Sequence, residues 1–173
     1  MTSYKTLLKN INTFIFDYDG VLSDGSIITL DDGEAYRTTN VKDGYALQLA
    51  VKKGYRVAVI SGAKADSMLN RLKALQIKDI FLGIENKSDV FENYLKKNDL
   101  KTDQVLFMGD DIPDYEIMLK AGISTCPADA AEEIRKVSNY ISAFPGGKGC
   151  VRDVIEQVLK IQGKWMNDDG YHW

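Results

Sequence analysis

Short, wholly apolar runs recur along the chain, each followed by a longer segment with apolar residues at helical spacing. Phe14-Ile15-Phe16 opens the series, and the runs within Arg56–Ile60, Phe81-Leu82 and Gln104–Met108 continue it. Phe81-Leu82 reads as a short strand, and the other runs read as buried strands. Between them, one helix is expected to start at Asp43-Gly44, with Asp43 as its cap, and to stop at Gly54. A second carries Met68, Leu69, Leu72 and Leu75, and a third runs over 88–97 with Val90, Phe91, Tyr94 and Leu95 inward. Pro113 suits the first turn of a fourth, which ends at Gly122. Short strands over 123–126 and 140–142 flank a helix over 130–137, and a final helix runs from 151 to about 161. Ser26-Ile27-Ile28-Thr29-Leu30 and Glu34-Ala35-Tyr36-Arg37-Thr38 flank Asp31-Asp32-Gly33, the signature of a β-hairpin.

Alternating strands and helices predict an α/β fold, a single Rossmann-like domain over 1–173 whose parallel sheet carries helices on both faces. The hairpin, about 25–39, is either a flap over the acidic loop before it or an ordinary edge hairpin. The tail, about 163–173, holds both tryptophans and is either a mobile end or a segment that docks on a neighbouring surface.

Composition narrows the classes. The 173 residues are 45% hydrophobic and 27% charged, with a net charge of −3 and no basic block, so nucleic acid is not an expected partner. No apolar run approaches the roughly 18–20 residues that cross a membrane, and the first residues lack a signal-peptide core. Cys126 and Cys150 are not in metal or redox spacing and read as free thiols of a cytoplasmic protein. The one histidine, His172, stands beside the C-terminus, so acid–base chemistry falls to carboxylates or lysine.

Chemistry-bearing residues cluster where strands end. Asp17 and Asp19 follow the first strand, Ser61 and Gly62 the second, Lys87 the third, and Asp110, Asp111 and Asp114 the fourth. Each has a plain reading: a turn, a helix cap, a solvated lysine, helix-dipole charges. In an open α/β sheet, however, these loops converge at one edge, where ligands bind. Two carboxylates at the end of a buried strand call for a cation, and a divalent metal takes such oxygen ligands. Phosphoryl transfer fits the set: a carboxylate nucleophile, a metal and lysine against the phosphate charge, a hydroxyl donor, and a second carboxylate to move protons.

Phe16-Asp17-Tyr18-Asp19-Gly20-Val21, Ile60-Ser61-Gly62, Asn86-Lys87 and Gly109-Asp110-Asp111 with Asp114 follow the order of the four motifs of the haloacid dehalogenase superfamily, which the chain resembles. The resemblance implies Asp17 as nucleophile, Asp19 as acid and base, and Ser61 and Lys87 on the phosphoryl group. It implies Mg²⁺ held by Asp17, the backbone carbonyl of Asp19 and Asp110, with Asp111 and Asp114 supporting the metal site or Lys87. Asp24-Gly25, Asn40-Val41-Lys42-Asp43-Gly44 and Gly146-Gly147-Lys148-Gly149 further resemble the 3-deoxy-D-manno-octulosonate 8-phosphate phosphatases, which lack a cap domain. That likeness implies a small sugar-acid phosphate substrate, a homotetramer in which a neighbouring subunit covers the site, and a role in lipopolysaccharide precursor synthesis. It places substrate contacts at Gly62, Asp43 and Lys148, the last suited to a sugar-acid carboxylate. Ala63 stands where that family commonly has Arg, leaving Arg71 or Lys64 as partial substitutes. A nine-carbon sialic-acid-type 9-phosphate is the alternative substrate. The order of Asp17, Lys87 and Asp110 argues against a phospho-accepting receiver domain, and the complete motif set argues against a non-catalytic scaffold.

Overall fold

In the computed structural model, which describes residues 4–167 and 170–171, a short helix α1 (Tyr4–Leu7) leads into β1 (Thr13–Phe16). The hairpin β2 (Ile28–Thr29) and β3 (Ala35–Tyr36) follows, then α2 (Val41–Lys52), β4 (Arg56–Ser61), α3 (Asp66–Ala74), β5 (Asp79–Leu82) and α4 (Lys87–Lys97). The second half runs β6 (Val105–Met108), α5 (Tyr115–Lys120), β7 (Ile123–Cys126), α6 (Glu132–Val137), β8 (Tyr140–Ile141) and α7 (Cys150–Ile161).

Six strands pair in the order β5-β4-β1-β6-β7-β8, all parallel, and the hairpin stands apart as a two-stranded sheet. Strand β1 is central: Phe14 aligns with Val57 on one side and Leu106 on the other. Side chains alternate across it. Phe14 and Phe16 enter the layer packed by α2, α3 and α7, where Leu47, Met68, Leu72, Val154 and Val158 lie buried. Ile15 faces the opposite layer, with Phe91 of α4, Ile117 of α5 and Ile134 of α6. That double burial is why the runs of β1, β4 and β6 carry no alternation, whereas β5, at the sheet edge, is only half-buried. The chain leaves β1 first toward β4 and β5, then crosses back to β6, so the crevice between these halves opens at the carboxyl end of β1.

Boundaries depart from the sequence reading where a side chain other than the expected one caps a helix. Asn40 caps α2, its Oδ1 accepting from Lys42 N at 2.8 Å, so Asp43 lies inside the first turn rather than at the cap. Asn86 caps α4 through Asp89 N at 3.2 Å, which makes Lys87 the first helical residue. Helix α6 begins at Glu132 rather than at 130. The hairpin strands shrink to two residues each and lie largely exposed.

Candidate active site

Asp17 leaves β1 with its backbone N–H still donating to Met108 O at 3.0 Å, which fixes the start of the loop to the sheet. The turn beyond it is tight: Gly20 sits at φ +81°, and a Cβ there would lie 1.9 Å from the Asp110 carboxylate. Glycine alone lets the first and fourth loops touch.

The carboxylates meet around one lysine. Lys87 Nζ lies 3.0 Å from Asp17 Oδ2 and 2.8 Å from Asp114 Oδ1, and all three side chains are buried. Asp17 Oδ1 accepts from Tyr18 N at 2.7 Å, and Asp114 Oδ2 from Asp110 N at 3.1 Å. Burial disfavours the charge of Lys87, but Asp17 and Asp114 outweigh it and hold its pKa above the usual value. Burial, reinforced by the Asp114 charge, raises Asp17 against the pull of Lys87. Burial likewise raises Asp114, with Lys87 opposing. Asp110 is pushed up to about 8 by burial and by the charges of Asp17, Asp114 and Asp111.

One lysine does not neutralise this group. Ligand oxygens of Asp17, Asp110 and Asp114 lie within 4.8 Å of one another, and buried Asp110 Oδ1 has no hydrogen-bond partner. An orphaned carboxylate oxygen among like charges is costly unless a cation takes it. The donor set is all carboxylate oxygen, which suits a hard divalent cation. Asp114 is already engaged at both oxygens, so it braces Lys87 and the Asp110 backbone. Asp111 is exposed and stands outside this group, contributing to the turn through its carbonyl, which accepts from Asp114 N at 2.9 Å.

Ser61 ends β4, buried beside these loops; its Oγ accepts from Ala63 N at 3.3 Å, which leaves its O–H to donate. Gly62 is exposed next to it, where an added Cβ would meet nothing closer than Ile84 O at 3.5 Å. Arg71, on α3, lines a narrow crevice with Tyr18, Asn40, Asp43 and Gly44. Its guanidinium fills the space that a Cβ on Gly44 would need, 2.5 Å from Nη2. Lys148 is exposed, its Nζ 3.3 Å from Asp24 Oδ2 at the root of the hairpin.

Asp43 caps a helix other than its own. Helix α7 begins after Gly149, at φ +115°, which has no side chain to cap it. Asp43 supplies that cap from α2: Oδ2 accepts from Gly149 N at 3.1 Å and Oδ1 from Arg152 N at 2.7 Å. Its carboxylate is buried and both oxygens accept from this stretch, so it holds the Gly146–Gly149 loop in place. Burial raises its pKa, with the N–H donors of Arg152 and Gly149 opposing. The same loop presses on the turn after β1, where a Cβ on Gly146 would lie 1.9 Å from Gly20 O.

Sequence reasoning missed Arg37. Its Nε donates to Asp19 Oδ1 at 2.6 Å, bridging 18 residues through the hairpin. The available signal was the strand period: Ala35 and Arg37 share a face opposite Tyr36, and a basic residue on a hairpin that follows an acidic loop can reach back to it. The described tail packs on its own chain. Trp165 meets Tyr45 edge-on at 6.3 Å, the Arg152 guanidinium covers both rings, and Tyr45 Oη donates to Gly170 O. His172 and Trp173 lie outside the described residues.

A lysine-braced set of carboxylates at the carboxyl edge of a parallel sheet defines a hydrolase of the phosphomonoesterase class. The sequence pattern of the haloacid dehalogenase-like hydrolases matches residues 37–128, and the chain belongs to that superfamily. It is 37% identical over 163 residues to the 3-deoxy-D-manno-octulosonate 8-phosphate phosphatase of Salmonella typhi, covering 94% of this chain and 87% of that protein. Among solved structures, the corresponding phosphatase of Moraxella catarrhalis, in complex with magnesium ion, phosphate ion and KDO, superposes with a TM-score of 0.89 at 34% identity. It covers 92% of this chain and 91% of that one. The enzyme from Yersinia pestis gives 0.90 at 32%, covering 92% and 86%. Among the described residues no helix is long and apolar enough to cross a membrane.

Proposed function

We propose that this chain hydrolyses 3-deoxy-D-manno-octulosonate 8-phosphate to the free sugar acid and phosphate, through an aspartyl-phosphate on Asp17. The observation that carries this reading is the buried Asp17–Lys87–Asp114 arrangement, in which a carboxylate is held at a strand end by a lysine that is itself braced. Similarity to octulosonate phosphatases over most of the chain supports the substrate.

In this reading an Asp17 oxygen attacks phosphorus while the sugar alkoxide leaves with a proton from Asp19. Asp19, now ionised, takes a proton from the water that attacks the aspartyl-phosphate, which releases phosphate and restores both carboxyls. Lys87 pairs with the phosphoryl oxygens and favours the ionised form of Asp17, and the Ser61 hydroxyl donates to another oxygen. Asp17 and Asp110 would hold Mg²⁺, which supplies charge neutralisation on the phosphate when bound. Lys148, on a loop beside the catalytic turn, suits the sugar carboxylate once it leaves Asp24; Gly62 leaves room for substrate, and Arg71 lines a crevice with Tyr18.

A homotetramer belongs to the same reading. Its support is the hairpin, whose Ile27, Ile28, Leu30 and Tyr36 are exposed apolar residues that a second copy would cover. A single 1–173 domain and a cytoplasmic location, favoured by two unpaired cysteines, complete it.

The test compares kcat/KM for eight- and nine-carbon ulosonate phosphates with Mg²⁺ present, alongside Asp17→Asn. A preference for the eight-carbon substrate and loss of turnover in the variant are expected. Preference for the nine-carbon compound would transfer the assignment to that substrate, and undiminished turnover in Asp17→Asn would remove the nucleophile.

A further inference from the structure

We propose that Arg37 is a positioning residue: from the returning limb of the hairpin it fixes the side-chain orientation of Asp19, the proton-moving group of the proposed reaction. The inference rests on that reading of Asp19 and adds a residue to it. Arg37 Nε donates to Asp19 Oδ1 at 2.6 Å, and its Nη1 donates to Ala35 O at 3.3 Å, which ties the guanidinium to its own strand. Ser23, wholly buried, donates through Oγ to the same Oδ1 at 3.0 Å. That Oγ also accepts from Gly25 N at 3.3 Å, where the outgoing limb begins.

Asp19 is therefore held from both feet of the hairpin. Both bonds fall on Oδ1, and Oδ2 accepts none among the described residues. Pinning one oxygen leaves the other to serve the leaving group and the water. A charge-assisted bond from Nε is short and directional, unlike a solvated surface pair, and Arg37 is part-buried where it forms. The two-residue strands of the hairpin are too short to be rigid alone, so the Arg37 and Ser23 contacts couple the flap to the carboxylate. The hairpin thus aims Asp19.

The experiment compares Arg37→Ala and Arg37→Lys with the unaltered protein in single-turnover assays, with Mg²⁺ and enzyme in excess. One substrate is octulosonate 8-phosphate, whose alkoxide needs a proton to leave. The other is p-nitrophenyl phosphate, whose phenolate leaves without one. For Arg37→Ala, alcohol release is expected to slow about tenfold to a hundredfold while p-nitrophenolate release changes less than about twofold. Half-saturating concentrations should hold, and Arg37→Lys should recover part of the rate, because an ammonium keeps the charge without the Nε geometry. Equal losses on both substrates, a weaker saturation with no change in rate, or no loss at all would each overturn the proposal. Urea unfolding checks the fold; should the alanine variant unfold, the same selective loss in Arg37→Lys decides the matter. Asp19→Asn separates the two levels. If it retains alcohol release, the role of Asp19 falls; if it loses release while Arg37→Ala does not, only Arg37's role falls.

Discussion

Lys87 Nζ and Asp114 Oδ1 stand 2.8 Å apart with no exposed surface on the carboxylate, and this pair holds the lysine where Asp17 needs it. Asp114 comes from a turn after β6 and Lys87 from the first position of α4, so the pair ties together two loops that share no sequence neighbourhood.

Removing the lysine leaves two buried carboxylates without their common partner. Lys87→Met is expected to cost about 3–5 kcal/mol at neutral pH, as for other broken buried pairs. The penalty should shrink on acidification, because protonation removes the uncompensated charge. Urea denaturation at pH 5 and pH 8 measures both, and an equal cost at the two values would contradict it.

A divalent cation is expected to stabilise the protein, and more so at higher pH. Folding raises Asp110 to about 8 through burial and then the charges of Asp17 and Asp114. Without metal, a carboxyl so raised contributes fully below its unfolded value of about 4, and that contribution is lost as pH rises through about 8. Cation binding takes the ionised carboxylates, so its affinity climbs over the same window. At a hundred times its Kd, Mg²⁺ adds about 2.7 kcal/mol. Thermal unfolding should therefore show a larger Mg²⁺ shift at pH 8 than at pH 5; a shift that does not grow with pH speaks against Asp110 as a ligand.

Lys148→Ala is expected to raise KM for an anionic sugar-acid phosphate about tenfold, the scale of one lost hydrogen bond to a charged group. A neutral aryl phosphate should be almost unaffected. Because Lys148 rests on Asp24 at 3.3 Å and is exposed, the fold has little stake in it. Steady-state kinetics on both substrates tell a carboxylate contact from a general defect.

Asp43→Ala strands the N–H groups of Gly149 and Arg152 that the carboxylate accepts. A loss of about 1–3 kcal/mol in urea unfolding is expected, within the range for buried donors left unsatisfied. Asp43→Asn, which keeps one acceptor oxygen, should lose less; equal losses would assign the effect to charge rather than to capping.

Much of the frame was legible locally. Phe14-Ile15-Phe16 and Val105–Met108 announced strands buried on both faces because neither face offers a polar position, and the layers on either side of β1 bear that out. Asp17, Ser61 and Asp110 were legible because each stands where such a strand ends, and Lys87 because it opens the helix that follows the half-buried β5. Asp43 misled for a physical reason: an acidic residue before a helical run looks like its cap, and nothing local reveals that α7, with glycine at its start, takes that carboxylate instead. Arg37 was silent because its partner lies 18 residues back, across a hairpin whose closure a sequence does not display.

By itself, then, the sequence determined the parallel α/β architecture and the acidic edge, since periodicity and strand-end chemistry are local properties of the chain. Tertiary structure decided which carboxylates share a lysine, which one keeps an orphaned oxygen for a cation, and which helix Asp43 caps. It also brought Arg37 to Asp19 in the stretch from Asp17 to Gly25. Those outcomes depend on distances between residues remote in sequence, and only the packing of β1, β6 and the hairpin sets them.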